Sequence, residues 1–405
     1  MDALDILTKK DHILPFFQPI ISADTQTVIG YEVLGRIETE SGYQSLAGFF
    51  QDRSIPEEYI SEVDEHIRTR ALQYFVKNKR PELIFFNSNA NVLLHDHGES
   101  FISSLQSFTS IGLPYHRIVL EVAESDFEGD FSRLSHLLAY IQSLGVQIAI
   151  DDIGNGASNL DRIAHLNPDI IKVELTALKD QSMSPESREV LYSLSMLARK
   201  IGATLLFEGI ESEAQLKYAW ENGGRYYQGF FLSDPNSELI DPHHCKAKMK
   251  HEFQKFVTHE RQKLKGLFQL SERLNERLGS ILKRLKHYND NDAILRETVH
   301  VMSDVCFRAY ICDAYGVQHS ANALKNENGE WILQKEYKGN NWSWRPYFLE
   351  NIVRMSHEQK GILSDLYSDI EINELIRTYS YPINQDYYLF IDIPYGFLYD
   401  QEGLF

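Results

Sequence analysis

The sequence predicts an α/β chain: a TIM-like (β/α) barrel, then a long connector helix, then an α+β domain. Three observations predict it. Up to about Pro242, short apolar runs alternate with amphipathic stretches through about eight repeats, the pattern of parallel strands joined by helices. From Cys245 to about His287, apolar residues recur at three- and four-residue steps. Beyond Tyr288 the chain is rich in tyrosine and tryptophan, with helical stretches first and strand-like runs later. The predicted division is 1–243, 244–287 and 288–405.

The barrel elements follow in order. ILPFFQPI and VIGYEVLG read as strands, and Val63, Ile67, Ala71, Leu72 and Phe75 mark a helix. LIFFN, a helix near 101–108 and RIVLEV come next. A helix near 134–144, VQIAIDD and DIIKVE follow. A helix through Leu191, Leu194, Met196 and Ala198 leads to ATLLFEG, and a helix near 214–220 leads to YYQGF. The strands are apolar on both faces, as buried parallel strands are. The connector carries Met249, Phe253, Phe256, Leu264, Leu267, Leu274, Leu278, Ile281 and Leu285 on one stripe. It reads equally as a coiled-coil connector or as a helix packed on its own domain. WILQKEY and YPINQDYYLFIDI read as strands of the last domain.

Composition narrows the function. A formal net charge of −18 repels nucleic acid polymers, so general DNA or RNA binding is excluded. No apolar run is long enough to span a bilayer and no signal pattern opens the chain, so a cytoplasmic protein off the membrane is expected. Cys245, Cys306 and Cys312 lack metal-ligand spacing, which fits a reducing setting.

Several predicted strands end in an acid or amide: Glu32, Asn87, Glu121, Asp151 and Asp152, Lys172 and Glu174, Glu208, and Gln228. The carboxyl ends of barrel strands converge on one rim, where active sites are built. Carboxylates brought together there repel one another, and Mg²⁺ or Mn²⁺ relieves the conflict with oxygen ligands. Helix capping explains one Asp at a strand end. It does not explain several acids inside apolar runs, where unpaired charge is costly. For Lys172 the alternatives are a plain buried ion pair and a lysine facing water or phosphate.

In order, the motifs are FFQPI, GYEVLGR, FFNSN, LEVAES, IAIDDIGNGASNL, IIKVE, FEGIES and YYQGF. Over roughly 14–235 the chain resembles the EAL domain, the metal-dependent cyclic di-GMP phosphodiesterase. The resemblance implies hydrolysis of cyclic di-GMP to linear pGpG with one or two Mg²⁺ or Mn²⁺ ions per barrel. It implies Glu32, Asn87, Glu121 and Asp151 as ligands of a first metal, with Asp152 joining Asp151 at a second. Glu208 resembles the glutamate of the metal shell, Lys172 the residue that orients the attacking water, and Gln228 the glutamine near it. Gln18, Leu34 and Arg36 resemble ligand contacts, Glu211 the acid after the Glu208 strand, and Glu124 the glutamate that steadies the loop after Asp152.

The chain also departs from the family pattern. The signature reads Glu32-Val33-Leu34 rather than Glu-Ala-Leu. DIGNGASNL replaces DFGTGYSSL, changing positions 153, 155, 157 and 159. Lys172-Val173-Glu174 stands for Lys-Ile-Asp, and Gly224-Arg225 for Cys-Asp. The expectation is binding with slow or conditional turnover.

Two rivals are weaker. A dinucleotide oxidoreductase would use Gly154-Asn155-Gly156 and Glu174, but Asn159 holds its third glycine position and Asp151-Asp152 would oppose a pyrophosphate. A pure interaction scaffold leaves the strand-end acids unexplained. His95, His97, His243 and His244 beside Cys245 read as solvated histidines, with no full ligand set around them.

From about Tyr288 onward, Trp344-Arg345-Pro346-Tyr347-Phe348, Leu363-Ser364-Asp365-Leu366-Tyr367 and Ser380-Tyr381-Pro382-Ile383 resemble a PAS-like or Cache-type sensory fold. Arg345 and Tyr347, with a later acid, would then take a small carboxylate or amine; the alternative is aromatics that fill a small core. A sensor acting on a barrel implies a homodimer or a rigid interface, and a homodimer is expected.

Overall fold

β1 (Ile13–Ser22) and β2 (Val28–Thr39) form an antiparallel hairpin that begins the chain's larger sheet. β3 (Gly42–Ser45) folds back on β2. β4 (Leu83–Ser88), β5 (Ile118–Ala123), β6 (Gln147–Ile153), β7 (Ile170–Glu174) and β8 (Thr204–Glu208) then add in parallel, ending with the short β9 (Tyr226–Tyr227). β9 pairs with β1, which also pairs with β2, so the sheet closes into a barrel. The computed structural model describes residues 3–399 except 53, 124–126, 128–130, 154–159, 176–184, 286, 289 and 346; for 152, 153, 160 and 185–189 it describes the backbone alone.

The predicted all-parallel pairing is corrected at one strand. β1 lies antiparallel to both neighbours because only residues 23–27 separate it from β2. A parallel crossover needs a dozen or more residues, so a short link forces a hairpin. The helix Glu57–Asn78 buries Val63, Ile67, Ala71, Leu72 and Phe75, the predicted stripe. Helices Glu99–Thr109, Phe131–Ser143, Pro185–Ile201 and Glu213–Glu221 also occupy their predicted places. YYQGF contributes only a two-residue strand.

Inside the barrel, Ile20, Phe85, Val119, Ala149, Ile170 and Leu206 make one apolar layer. Gly30 stands where β2 crosses this layer. A Cβ there would lie 2.7 Å from the Phe85 ring, so the position admits no side chain without a shift.

The chain forms two compact units, Met1–Lys255 and Phe256–Phe405. The helix Lys246–Arg284 runs through that boundary. In the first unit, Phe253 packs on Trp220 and Tyr227. In the second, Leu270, Leu274, Leu278, Ile281 and Leu285 join the core beneath a sheet, the arrangement of a helix packed on its own domain. Leu264, placed on the predicted stripe, is exposed.

The second sheet is antiparallel throughout its recorded pairings: β10 (Arg308–Asp313), β11 (Asn322–Lys325), β12 (Trp331–Gln334), β13 (Ile362–Leu363), β14 (Tyr367–Ser368), β15 (Leu375–Pro382) and β16 (Tyr387–Pro394). Its order is β12-β11-β10-β16-β15-β13, with β14 on β15. Period-two alternation sends Ala309, Ile311, Leu389 and Ile391 to the face with the long helix. Tyr310, Cys312, Tyr388 and Phe390 go to the other face, with the helix Phe348–Glu358. Two predicted strands are shorter than read. WILQKEY leaves the sheet after Gln334, and YPINQDYYLFIDI splits into the end of β15 and nearly all of β16 around residues 383–386.

Candidate functional site

Period two also builds the barrel rim. Two residues beyond Phe85, Val119, Ala149, Ile170 and Leu206 lie Asn87, Glu121, Asp151, Lys172 and Glu208. Gln228 lies two beyond Tyr226, and Glu32 two beyond Gly30. On the reversed β1 the step runs backwards, from Ile20 to Gln18, which pairs in register with Glu32. One layer is apolar and the next polar, because successive same-face residues rise along each strand.

Local geometry refines the aim. β6 and β7 shift register between Ile150 and Ile153, so Asp151 and Asp152 together oppose Lys172. Such a bulge bends the strand and re-aims its side chains. Asn89 caps the helix Ala90–His95 just after Asn87, and Ser212 caps Glu213–Glu221 just after Glu208. Gly229 has φ 152°, and a Cβ there would meet the Ile210 backbone, so glycine lets the chain turn past Ile210 directly after Gln228.

Lys172 is the centre of the cluster and is 1 % exposed. Its Nζ lies 3.0 Å from Asp151, 3.0 Å from Glu208, 3.1 Å from Glu121 and 3.8 Å from Glu32. The Asn87 amide donates to Glu32 Oε1 at 2.7 Å, and the Gln228 amide donates to Glu32 Oε2. Burial opposes the charge on Lys172, but Asp151, Glu121, Glu208 and Glu32 outweigh it and hold the ammonium well above its ordinary 10.5. Burial pushes the carboxyls of Glu121 and Glu208 well above the usual range, against the pull of Lys172 and with the push of neighbouring carboxylates.

The structure separates the predicted residues by place. Glu32, Asn87, Glu121, Asp151, Lys172, Glu208 and Gln228 come together. Gln18, Leu34 and Arg36 lie half-buried on the β1–β2 hairpin beside them. Arg36 Nη1 donates to Gly35 O at 3.1 Å and Ser45 Oγ at 2.9 Å, and burial lowers its pKa. Glu211 lies in the segment after β8, where its backbone N–H donates to Gln215 Oε1 at 2.8 Å. Glu124, the loop 154–159 and the Asp152 side chain lie outside the described residues. His95, His97, His243 and His244 are exposed, and the three cysteines are free and buried.

Among the described residues no group of three or more His, Cys, Asp or Glu side chains is set to hold a metal ion. The acids close on the Lys172 ammonium instead. The donor set nevertheless fits a hard cation. Four carboxylates face one ammonium, and the buried acceptors Glu121 Oε1 and Gln228 Oε1 have no hydrogen-bond partner among the described residues. Oxygen-only ligands of this kind suit Mg²⁺, Mn²⁺ or Ca²⁺.

The EAL domain family matches residues 1–235. This chain belongs to it. Residues 239–405 match a second family, the EAL-domain associated signalling protein domain. YkuI of Bacillus subtilis (strain 168), an uncharacterized EAL-domain containing protein, is 50% identical over 406 residues, covering 100% of both chains. The crystal structure of B. subtilis YkuI, with an EAL domain and in complex with substrate c-di-GMP and calcium, superposes with a TM-score of 0.95 at 49% identity over 100% of both chains. PdeG of Escherichia coli (strain K12), a probable cyclic di-GMP phosphodiesterase, is 27% identical over 234 residues, 55% of this chain and 44% of PdeG.

Within the EAL domain the altered signature residue Val33 is buried on the strand face opposite Glu32 and Leu34. No described helix is long and apolar enough to cross a membrane. Sequence reasoning missed Tyr310 and Trp342, which meet the predicted Arg345, and the separate buried set of Arg308 with Asp369 and Asp392 in the same unit. The only signal was the run Trp342-Ser343-Trp344-Arg345 beside a long-range tyrosine, and no spacing ties those together.

Proposed function

We propose that this chain binds cyclic di-GMP at the EAL barrel rim through one or two Mg²⁺ or Mn²⁺ ions and hydrolyses it slowly to linear pGpG. The observation that carries the reading is the convergence of Glu32, Glu121, Asp151 and Glu208 on Lys172, with Asn87 and Gln228 bonded to Glu32. A relative matched over the whole of both chains, crystallised with c-di-GMP and calcium, supports it.

In this reading Glu32, Asn87, Glu121, Asp151, Asp152 and Glu208 hold the metal. When bound, it supplies charge neutralisation at the phosphate and an acidified water. Lys172 orients the attacking water, as the buried donor that already links the acids. Gln228 steadies Glu32 and keeps its own carbonyl free for that water. Arg36 offers a planar fork to phosphate or a guanine edge, and Gln18, Leu34 and Glu211 border the dinucleotide.

A second reading, a metal-dependent receptor without turnover, is favoured by the departures at Ile153, Asn155, Ala157 and Asn159 and by Glu174 in place of the usual aspartate. Titrating cyclic di-GMP into the full-length protein with Mn²⁺, with chromatography for pGpG in the same tube, separates the readings. Binding with product supports the enzyme, and binding without product supports the receptor. No binding refutes both.

The proposal extends to the whole chain. Residues 288–405, joined through 244–287 to the barrel of 1–243, act as a PAS-like control domain that takes a small-molecule ligand. The antiparallel sheet with helices on both faces supports that reading. The protein works as a cytoplasmic homodimer, and a monomeric mass in light scattering at micromolar concentration would count against this.

A further inference from the structure

Two arginines are buried on one face of the second unit's sheet, and their surroundings differ in sign. Arg308 is paired with Asp369, with Glu371 at 2.9 Å and with Asp392 at 2.6 Å. Arg345 is 8 % exposed and meets no carboxylate among the described residues. Its Nη1 donates to the hydroxyls of Tyr347 at 3.0 Å, Tyr310 at 3.3 Å and Tyr367 at 3.3 Å. Its Nε and Nη2 have no partner among the described residues. The guanidinium carbon lies 4.6 Å from the centre of the Trp342 ring, whose Nε1 is anchored to Gln318 at 2.7 Å.

Proton accounting sharpens the imbalance. Thr378 donates to Asp392 at 2.6 Å, so the Tyr367 hydroxyl must donate to Thr378 at 2.7 Å. Tyr367 can then only accept from Arg345 and Tyr347. Tyr310 accepts from Arg345, and its own hydroxyl hydrogen has no acceptor among the described residues, although the residue is buried. Burial pushes the Tyr310 and Tyr367 hydroxyls up, so they stay neutral and solvate the guanidinium without cancelling its charge. A buried cation without a counter-charge and a buried donor without an acceptor are each costly.

We propose that Arg345, Tyr310 and Tyr347 form a binding site for a small monocarboxylate. The parallel N–H bonds of Nε and Nη2 match the two oxygens of a carboxylate, and Trp342 covers one face of that plane. A dianion is disfavoured. The relay through Tyr367 and Thr378 ends on Asp392, where Arg308 already faces three carboxylates. The proposal rests on the reading of this unit as one that takes a small-molecule ligand, and the test keeps the two apart.

The test uses the full-length protein and follows calorimetry and tryptophan fluorescence. Sodium acetate and glycine are titrated in against sodium chloride and sodium phosphate at equal ionic strength. Saturable binding of acetate or glycine, absent with chloride and phosphate, is expected; which of the two binds separates simple organic acids from amino acids. Arg345→Lys keeps the charge but loses the fork, and is expected to weaken binding about tenfold or more. Tyr310→Phe removes one hydroxyl from the stacked core and is expected to weaken it about fivefold. No saturable response, an equal response to chloride, or unchanged affinity in Tyr310→Phe would overturn the site; that last outcome decides even if the lysine variant fails to fold. Acetate binding that leaves pGpG formation unchanged supports the site while refuting control of the barrel.

Discussion

The barrel rim and the tyrosine–arginine cluster of the second unit are built alike and charged oppositely. Each is a polar patch set beside an apolar layer by period-two alternation. At the rim, acceptors are in excess: four carboxylates share one ammonium, and two buried oxygens lack donors among the described residues. Around Arg345, donors are in excess. A folded chain tolerates such a surplus where a ligand of the opposite sign completes it. The difference teaches that the sign of the unpaired groups is a guide to the ligand: cations at the rim, a carboxylate at Arg345. Arg308 is the control within the same molecule, a buried cation already matched by acids.

The largest expected effect lies at that control. Asp392→Ala removes one of the two buried carboxylates that pair with Arg308, leaving Asp369, and takes the acceptor from the Thr378 hydroxyl; it should cost about 3–5 kcal/mol in denaturant unfolding. A loss below about 1 kcal/mol would break the contrast between matched and unmatched arginines. Next comes the rim. Glu32→Ala removes the acceptor of both Asn87 and Gln228, and cyclic di-GMP affinity in Mn²⁺ should fall about 100-fold or more. Calorimetry on a folded variant reads this directly, and retained affinity would sink the assignment of the rim as the binding site.

The rim was legible because each of its side chains closes an apolar strand run, so strand periodicity and barrel convergence place it without any long-range information. Glu32, Asn87, Glu121, Asp151, Lys172, Glu208 and Gln228 were all found this way. The reversal of β1 was not legible, because an apolar run such as ILPFFQPI carries no direction; only the short link to β2 decides it. The register shift beside Asp151 and Asp152 depends on the neighbouring strand and leaves no mark in either sequence. The Arg345 cluster was read only in part. Arg345 and Tyr347 stood out, but Tyr310, Trp342, Tyr367 and Thr378 come from separate elements that only sheet order brings together.

Metal and pH give a smaller, opposing pair of effects. At 100 times its dissociation constant, Mn²⁺ should raise the unfolding free energy by about 2.7 kcal/mol, and chelation should remove the gain. Without metal, Glu121 and Glu208 hold protons in the folded state above the ordinary 4.5, where the unfolded chain has released them. The folded state then binds more protons, so stability should fall as pH rises above about 4.5, by at most about 1.4 kcal/mol per pH unit for each group. Lys172 contributes no slope there, since its stabilisation is complete below 10.5 and is lost only as pH rises through its higher folded value. Mn²⁺ should flatten the fall, because it competes with those protons. A metal-free stability that rises from pH 5 to 8 would mean that the carboxylates are matched at rest.

The smallest stability effect is expected where the surplus of donors lies. Arg345→Gln removes a buried charge that no acid among the described residues balances, so the lost hydroxyl bonds and ring contact are offset by relief of desolvation. The unfolding free energy should change by less than about 1 kcal/mol, against several for Asp392→Ala on the same sheet face. A residue kept for stability would behave like Arg308; one kept for a ligand is dispensable until the ligand is present. If Arg345→Gln proved as damaging as Asp392→Ala, the tyrosine hydroxyls would be sufficient partners for a buried guanidinium. The sign of the unpaired groups would then stop being a guide to the ligand in this unit, while the rim would stand on its own acids.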